Sequence, residues 1–77
     1  MIYMVYGITD CPSCLRACAD LMDAEYEYVF VNCDFSSNFR NEIKNEFKWS
    51  TFPIVVRRLA NNITVIGGYE QLQKHLI

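Results

Sequence analysis

Cys11-Pro12-Ser13-Cys14 is the segment of this chain best suited to chemistry. An apolar run, Ile2 to Tyr6, reads as a strand before it, and a helical pattern, Leu15 to Met22, follows it. Two thiols separated by two residues at a strand-to-helix junction close a disulfide within one turn. The first thiol then lies at a helix N-terminus, where unpaired N–H groups and the positive end of the dipole favour thiolate over thiol. A thiolate that attacks a disulfide and a second thiol that resolves the adduct are what thiol–disulfide exchange requires. On this reading Cys11 is the nucleophile, its sulfur facing solvent and accepting from the N–H groups of Ser13 and Cys14. Cys14, one turn into the helix and more buried, is the resolving thiol. The competing readings are two structural cysteines at a helix start, or a zinc site using Cys11, Cys14, Cys18 and Cys33. Against zinc, Cys14 and Cys18 share one helical face, Cys33 ends a strand, and no second Cys-x-x-Cys is present. No metal is expected.

The elements that must position this pair follow from composition and period. The chain has 77 residues, enough for one domain spanning 1–77, and its hydrophobic fraction of 52%, with five Tyr and five Phe, is ample for a core. A net charge of −2 without a basic stripe argues against nucleic acid as a partner. No apolar run approaches the length of a membrane span. Met1-Ile2-Tyr3-Met4 lacks the basic start of an export signal and already reads as strand. The expectation is a reducing, cytoplasmic setting, where close-spaced cysteines are more often catalytic or metal-binding than a disulfide framework.

Pro12 to Ala24 is predicted as a helix, with Pro12 at the first position, where its missing N–H costs nothing. Its apolar positions are Cys14/Leu15, Cys18 and Leu21/Met22. Asp20 and Asp23 near its end carry the wrong sign for the dipole. Tyr26 to Asn32 has the β-branched and aromatic content of a strand. Ser36 or Ser37 caps a second helix with the stripe Phe39, Ile43 and Phe47. Ile54 to Leu59 and Ile63 to Ile66 flank Ala60-Asn61-Asn62, whose asparagines suit a tight hairpin. Gly67-Gly68 turns the chain into a last helix carrying Leu72 and Leu76. The order β-α-β-α-β-β-α predicts an α/β fold. Its first two strands are parallel with a right-handed crossover, its last two form a hairpin, and helices cover the faces of a four-stranded mixed sheet.

This order, with Cys-Pro-Ser-Cys after the first strand, resembles the thioredoxin fold in its minimal form. Thr51-Phe52-Pro53 is similar to the Thr-Val-Pro segment of glutaredoxins, and Gly67-Gly68-Tyr69-Glu70 to their Gly-Gly-aromatic/Cys-Asp segment. With the spacing between these blocks, the whole chain resembles the glutaredoxin family, in particular small dithiol members of phage and viral type. The resemblance implies a glutathione-dependent thiol–disulfide oxidoreductase that acts on protein disulfides and glutathione mixed disulfides. It implies a cis peptide before Pro53, so that the backbone of Phe52, after Thr51, pairs with a substrate chain beside the disulfide. Pro12 and Ser13 form the active-site loop. Gly68, Tyr69 and Glu70 are expected to meet the γ-glutamyl end of glutathione, with Glu70 in place of the usual Asp. Arg40 falls where the family grips the glycine carboxylate; equally, it reads as a solvated helix charge in line with Lys44 and Lys48. Ribonucleotide reductase is the client the resemblance brings forward, and a monomer is the expected state.

Three departures bear on this. Ile8 stands where many glutaredoxins have a lysine, Ser13 where many have Tyr, and Asp10 puts a carboxylate beside Cys11, which opposes thiolate formation. They predict a less acidic Cys11 and weaker glutathione affinity than in typical relatives. They also keep open a glutaredoxin-like redoxin recharged by thioredoxin reductase. In another class stands a binding module, either an iron–sulfur carrier, which Pro12 disfavours by family analogy, or a non-enzymatic adaptor. Of the remaining candidates, Cys18 reads as a small core residue. Cys33 reads as core or rim at the end of a strand, a position open to a glutathione adduct. Tyr6 reads as core, Trp49 as a partly buried wedge before the Thr-Phe-Pro turn, and His75 as exposed and inert.

Overall fold

The computed structural model describes all 77 residues, Met1–Ile77. Seven elements follow in the expected order: β1 (Ile2–Gly7), α1 (Pro12–Asp23), β2 (Tyr28–Asn32), α2 (Ser37–Phe47), β3 (Ile54–Leu59), β4 (Asn62–Gly67) and α3 (Tyr69–His75). The strands lie in the order β2-β1-β3-β4. β1 and β2 are parallel, Tyr3 opposite Tyr28 through Gly7 opposite Asn32, while β1/β3 and β3/β4 are antiparallel. A bulge sets Gly67 opposite Val55 and Val65 opposite Val56, leaving Ile66 as the extra residue of β4.

Alternation along the strands divides the core in two. Tyr3, Val5 and Val55 join Ala17 and Leu21 of α1 and Leu72 of α3 on one face. Ile54, Val56 and Cys33 join Ile43 of α2 on the other, with Met4, Tyr6, Phe39, Phe47, Trp49 and Phe52 packed around them. Each helix therefore presents one apolar stripe to a sheet that is apolar on both faces. No helix is long and apolar enough to cross a membrane.

Several local expectations change. The stripe of α1 is Cys14, Ala17 and Leu21, with Cys18 at its margin; Leu15 and Met22, read as apolar positions of the stripe, are 70% and 62% exposed. At about 100° per residue, neighbours of a stripe residue rotate off the buried arc. Helix α1 runs through Asp20 to Asp23 because its carbonyls are closed after it. Ala24 N–H donates to Asp20 O, Glu25 N–H to Met22 O and Tyr26 N–H to Leu21 O, with Glu25 left-handed at φ 63°. That use of Tyr26 delays β2 to Tyr28. The tight turn between β3 and β4 is Ala60-Asn61, with Asn62 already paired to Leu59, and the left-handed residue is Ala60 (φ 55°) rather than an asparagine. His75 is exposed but not idle: a 2.9 Å hydrogen bond joins its Nε2 to the phenol oxygen of buried Tyr3. Burial pushes the Tyr3 phenol up, which keeps its proton in place. The last helix is thereby tied to the first strand.

Candidate active site

Cys11 caps α1 in an extended conformation (φ −116°, ψ 98°), with Pro12 opening the helix. Its sulfur is bonded to that of Cys14, the two Cα atoms being 5.3 Å apart, well within the range a disulfide spans. Of the two N–H groups expected to point at Cys11, that of Cys14 donates to the sulfur at 3.2 Å. Leu15 N–H takes the Cys11 carbonyl. No acidic residue occupies the first turn of α1, so the helix N-terminus acts on Cys11 without an internal counter-charge. Asp10, exposed and left-handed at φ 55°, carries its carboxylate on the preceding residue.

Cys11 is half-buried and Cys14 only 1% exposed, so the first sulfur is the more open to solvent. This depth has a cause in β1. A Cβ on Gly7 would lie 2.9 Å from Cys14 Sγ and 2.6 Å from Phe30 Cε1. Only a missing side chain lets the Cys14 sulfur settle against the strand end. Sequence reasoning gave Gly7 no role; a glycine closing a strand pattern just before the thiol pair was the available signal.

A groove of about 350 Å³ borders the pair through Ser13. Thr51, Phe52 and Pro53 form one side, Gly68, Tyr69 and Glu70 another, and Trp49 and Gln71 complete it. The Phe52-Pro53 peptide is cis. Every expected glutathione contact except Arg40 is thus gathered beside the cysteines. Arg40 lies outside the groove, its Nη1 donating to Asp34 Oδ1 at 3.0 Å and to the Asp34 carbonyl at 3.2 Å. Gly68 N–H already donates to Gln71 Oε1 at 3.1 Å. The nearby Asp20 carboxylate pushes the Tyr69 phenol up, while Gln73 donates to its oxygen at 3.3 Å.

Trp49 and Gln71 are groove residues that the sequence did not assign. Lys48 ends α2 left-handed, and Trp49 N–H donates back to the Lys44 carbonyl, which aims the indole across the sheet edge. A Cβ on Gly67 (φ 121°) would meet Trp49 Cη2 at 2.9 Å, so this glycine serves both the turn and the seat of the indole.

The other two thiols stand apart. Cys18 is half-buried against the α1/α3 core, and burial pushes its thiol up. Cys33 is fully buried, donates to the Val31 carbonyl at 3.6 Å, and is likewise pushed up by burial. A glutathione adduct at Cys33 does not fit this placement. The four thiols do not converge, and no three His, Cys, Asp or Glu side chains gather as metal ligands. A separate depression of about 450 Å³, between the ends of α1 and α3, contains no nucleophile.

Comparison with known proteins agrees with this geometry. No curated protein matches the chain significantly. Among solved structures, the chain is similar to the solution structure of glutaredoxin from Brucella melitensis. The TM-score is 0.74 at 23% identity, over 96% of this chain and 76% of the other. It is also similar to the thioredoxin-like protein BC3987, with TM-score 0.68 at 23% identity over 97% and 99% of the two chains. These likenesses establish the thioredoxin-like fold. The profile of the glutaredoxin family matches residues 1–58, which include the cysteine pair, β1 to β2, α2 and the Thr51-Phe52-Pro53 turn. The chain belongs to the glutaredoxin family, and Cys11 and Cys14 are the thiol pair of a thiol–disulfide oxidoreductase.

Proposed function

We propose that this oxidoreductase is a dithiol glutaredoxin that draws its electrons from glutathione. The observation that carries the reading is the groove beside the disulfide, where Thr51, Phe52 and Pro53 face Gly68, Tyr69 and Glu70 across a space suited to a short peptide thiol. The Cys11 thiolate attacks one sulfur of a client disulfide, forming a mixed disulfide and releasing the client's other thiolate. The Cys14 thiolate then attacks Cys11 Sγ, which closes the internal disulfide and releases the second client thiolate. The client has gained two electrons and the enzyme has lost two. A glutathione thiolate attacks Cys11 Sγ and frees Cys14. A second glutathione thiolate attacks the glutathione sulfur of that adduct, freeing Cys11 and leaving glutathione disulfide. The Cys14 N–H and the α1 terminus stabilise Cys11 each time it leaves as thiolate. Glu70 is the partner for the glutathione ammonium group. Ribonucleotide reductase, which needs a dithiol donor at every turnover, is the client class we place first. The free Cys18 and Cys33 thiols are in keeping with a reducing, cytoplasmic setting.

One observation favours a second reading. Arg40 is engaged by Asp34 and Ile8 replaces the family's lysine, so neither position that the family uses offers the glycine carboxylate a free cation. A redoxin recharged by thioredoxin reductase has no need of one. NADPH consumption with a small mixed disulfide separates the two. Turnover with glutathione and glutathione reductase, abolished in Cys11→Ser and weakened in Glu70→Gln, is the expected result. Turnover with thioredoxin reductase alone, indifferent to Glu70→Gln, would refute the glutathione reading.

A further inference from the structure

A second depression, about 510 Å³, adjoins the redox groove on the far side of Trp49. Asn41, Lys44, Asn45 and Lys48 line it from one strip of α2 and its C-terminal cap, with Trp49 and Ser50 closing the end. Glu42 and Glu46 project roughly 100° or more around the helix from the centre of that strip. Neither lysine has a counter-ion, since Arg40–Asp34 is the chain's only ion pair. Two uncompensated ammonium groups therefore sit one helical turn apart on a chain whose net charge is −2. Lys44 Nζ lies over the Phe52 ring, 5.3 Å from its centroid, at the wall of the redox groove. Lys48 occupies a left-handed cap (φ 54°) where glycine or asparagine is the less strained choice. A lysine held there against its backbone preference keeps its charge at the mouth of the depression.

We propose that this face of α2 docks an acidic segment of a disulfide-bearing client protein. The client's reactive disulfide lies in the groove beside Cys11, and its Asp or Glu side chains meet Lys44 and Lys48. The proposal rests on the reading that protein disulfides are substrates. An extended chain paired beside Phe52 advances about 3.3 Å per residue, and Lys44 stands over the Phe52 ring itself, so a chain continuing past the paired segment runs onto the α2 strip. A tripeptide that fills the first groove ends there, so a longer polypeptide is the occupant that spans both. Docking charges of this kind act mainly on the encounter rate and respond to salt.

The test uses the pre-reduced protein in single turnover, which removes any dependence on how it is recharged. Three peptides share one disulfide core and differ only in flanking Glu, Ser or Lys residues; hydroxyethyl disulfide serves as the small substrate. At low salt the Glu peptide is expected to react about tenfold faster than the Ser peptide and the Lys peptide slowest, the spread closing in high salt. Lys44→Gln/Lys48→Asn, which keeps a residue tolerant of the left-handed cap, should abolish the preference. Lys44→Glu/Lys48→Glu should invert it, with the hydroxyethyl disulfide rate changed less than twofold in both. Equal rates for the Glu and Ser peptides, or a preference that survives in the neutral variant, would overturn the proposal. Normal reduction of hydroxyethyl disulfide with no reaction of any peptide would overturn it together with the protein-disulfide reading.

Discussion

Gly7→Ala tests how the resolving sulfur is seated. The φ of Gly7 lies outside the left-handed region, so alanine meets no backbone penalty and the whole effect is steric. The added Cβ would stand 2.6 Å from Phe30 Cε1, 3.0 Å from Phe30 Cζ and 2.9 Å from Cys14 Sγ. Ordinary contacts between such atoms are about 3.5–4.0 Å, so each neighbour must retreat by roughly 1 Å. Phe30 lies on edge strand β2 and is 40% exposed, so its ring has room to turn away. Cys14 has none while it is bonded to Cys11 and packed 1% exposed under α1. Overpacking of this size costs about 1–3 kcal/mol. In a domain of this length each kcal/mol lowers Tm by roughly 4–8 °C. Reduction frees the Cys14 side chain to rotate, so the loss should be larger in the oxidised protein. A differential of about 1 kcal/mol raises the reduction potential by roughly 20 mV. Guanidinium unfolding of the oxidised and reduced forms, with the potential read against a glutathione buffer, measures both quantities. A loss under about 0.5 kcal/mol in both forms would refute the steric argument. Full recovery of the oxidised form in Gly7→Ala/Phe30→Leu would show that Phe30, not the sulfur, is the constraint.

Three further outcomes are expected. Cys14→Ser treated with glutathione disulfide and then freed of glutathione should hold a Cys11–glutathione adduct visible by mass spectrometry, since neither Cys14 nor a second glutathione is there to release it, and added glutathione should discharge it; an adduct on Cys18 or Cys33 instead would reassign the nucleophile. Ala60→Gly relieves a left-handed alanine worth about 1–2 kcal/mol and gives back about 0.4–1 kcal/mol in unfolded-state entropy. A net gain of roughly 0.5–1 kcal/mol in urea unfolding should result, and a loss would show the turn is not strained. Burial raises the Cys33 thiol above its ordinary 9.0 in the folded state alone. Its contribution is fully present below pH 9 and is lost as pH rises through the folded value, because the unfolded chain ionises first. The fall in urea midpoint between pH 8 and pH 10 should therefore be shallower in Cys33→Ala than in the parent, and equal slopes would contradict the assignment.

Local chemistry made much of the molecule legible. Ser36 accepts from Phe39 N–H at 3.3 Å as a serine before an apolar stripe should, and Phe39, Ile43 and Phe47 pack on one face of the sheet. The order of elements, the parallel β1/β2 pair and the β3/β4 hairpin followed from period, turn residues and crossover handedness. The outward-facing Leu15 and Met22 were misread because both are apolar and adjacent to stripe residues, and only packing decides which side of a helix arc is covered. Arg40 had two readings because sequence spacing does not register Asp34, which a loop before α2 brings to 3.0 Å.

The sequence by itself determined the chemistry: two thiols at one helix start, a proline turn, and a Gly-Gly-Tyr-Glu segment, each set by residue type over a few positions. The helix start already set Cys11 outward and Cys14 inward; tertiary structure alone decided what seats Cys14, because the space for its sulfur depends on Gly7 and Phe30 from two different strands. It alone decided that Trp49 joins the groove, through a left-handed cap at Lys48 and a glycine some twenty residues away at Gly67. It alone set Lys44 and Lys48 beside the groove without counter-ions. Distances between residues remote in the chain are fixed by the packing of helices on the sheet, and no local pattern encodes them.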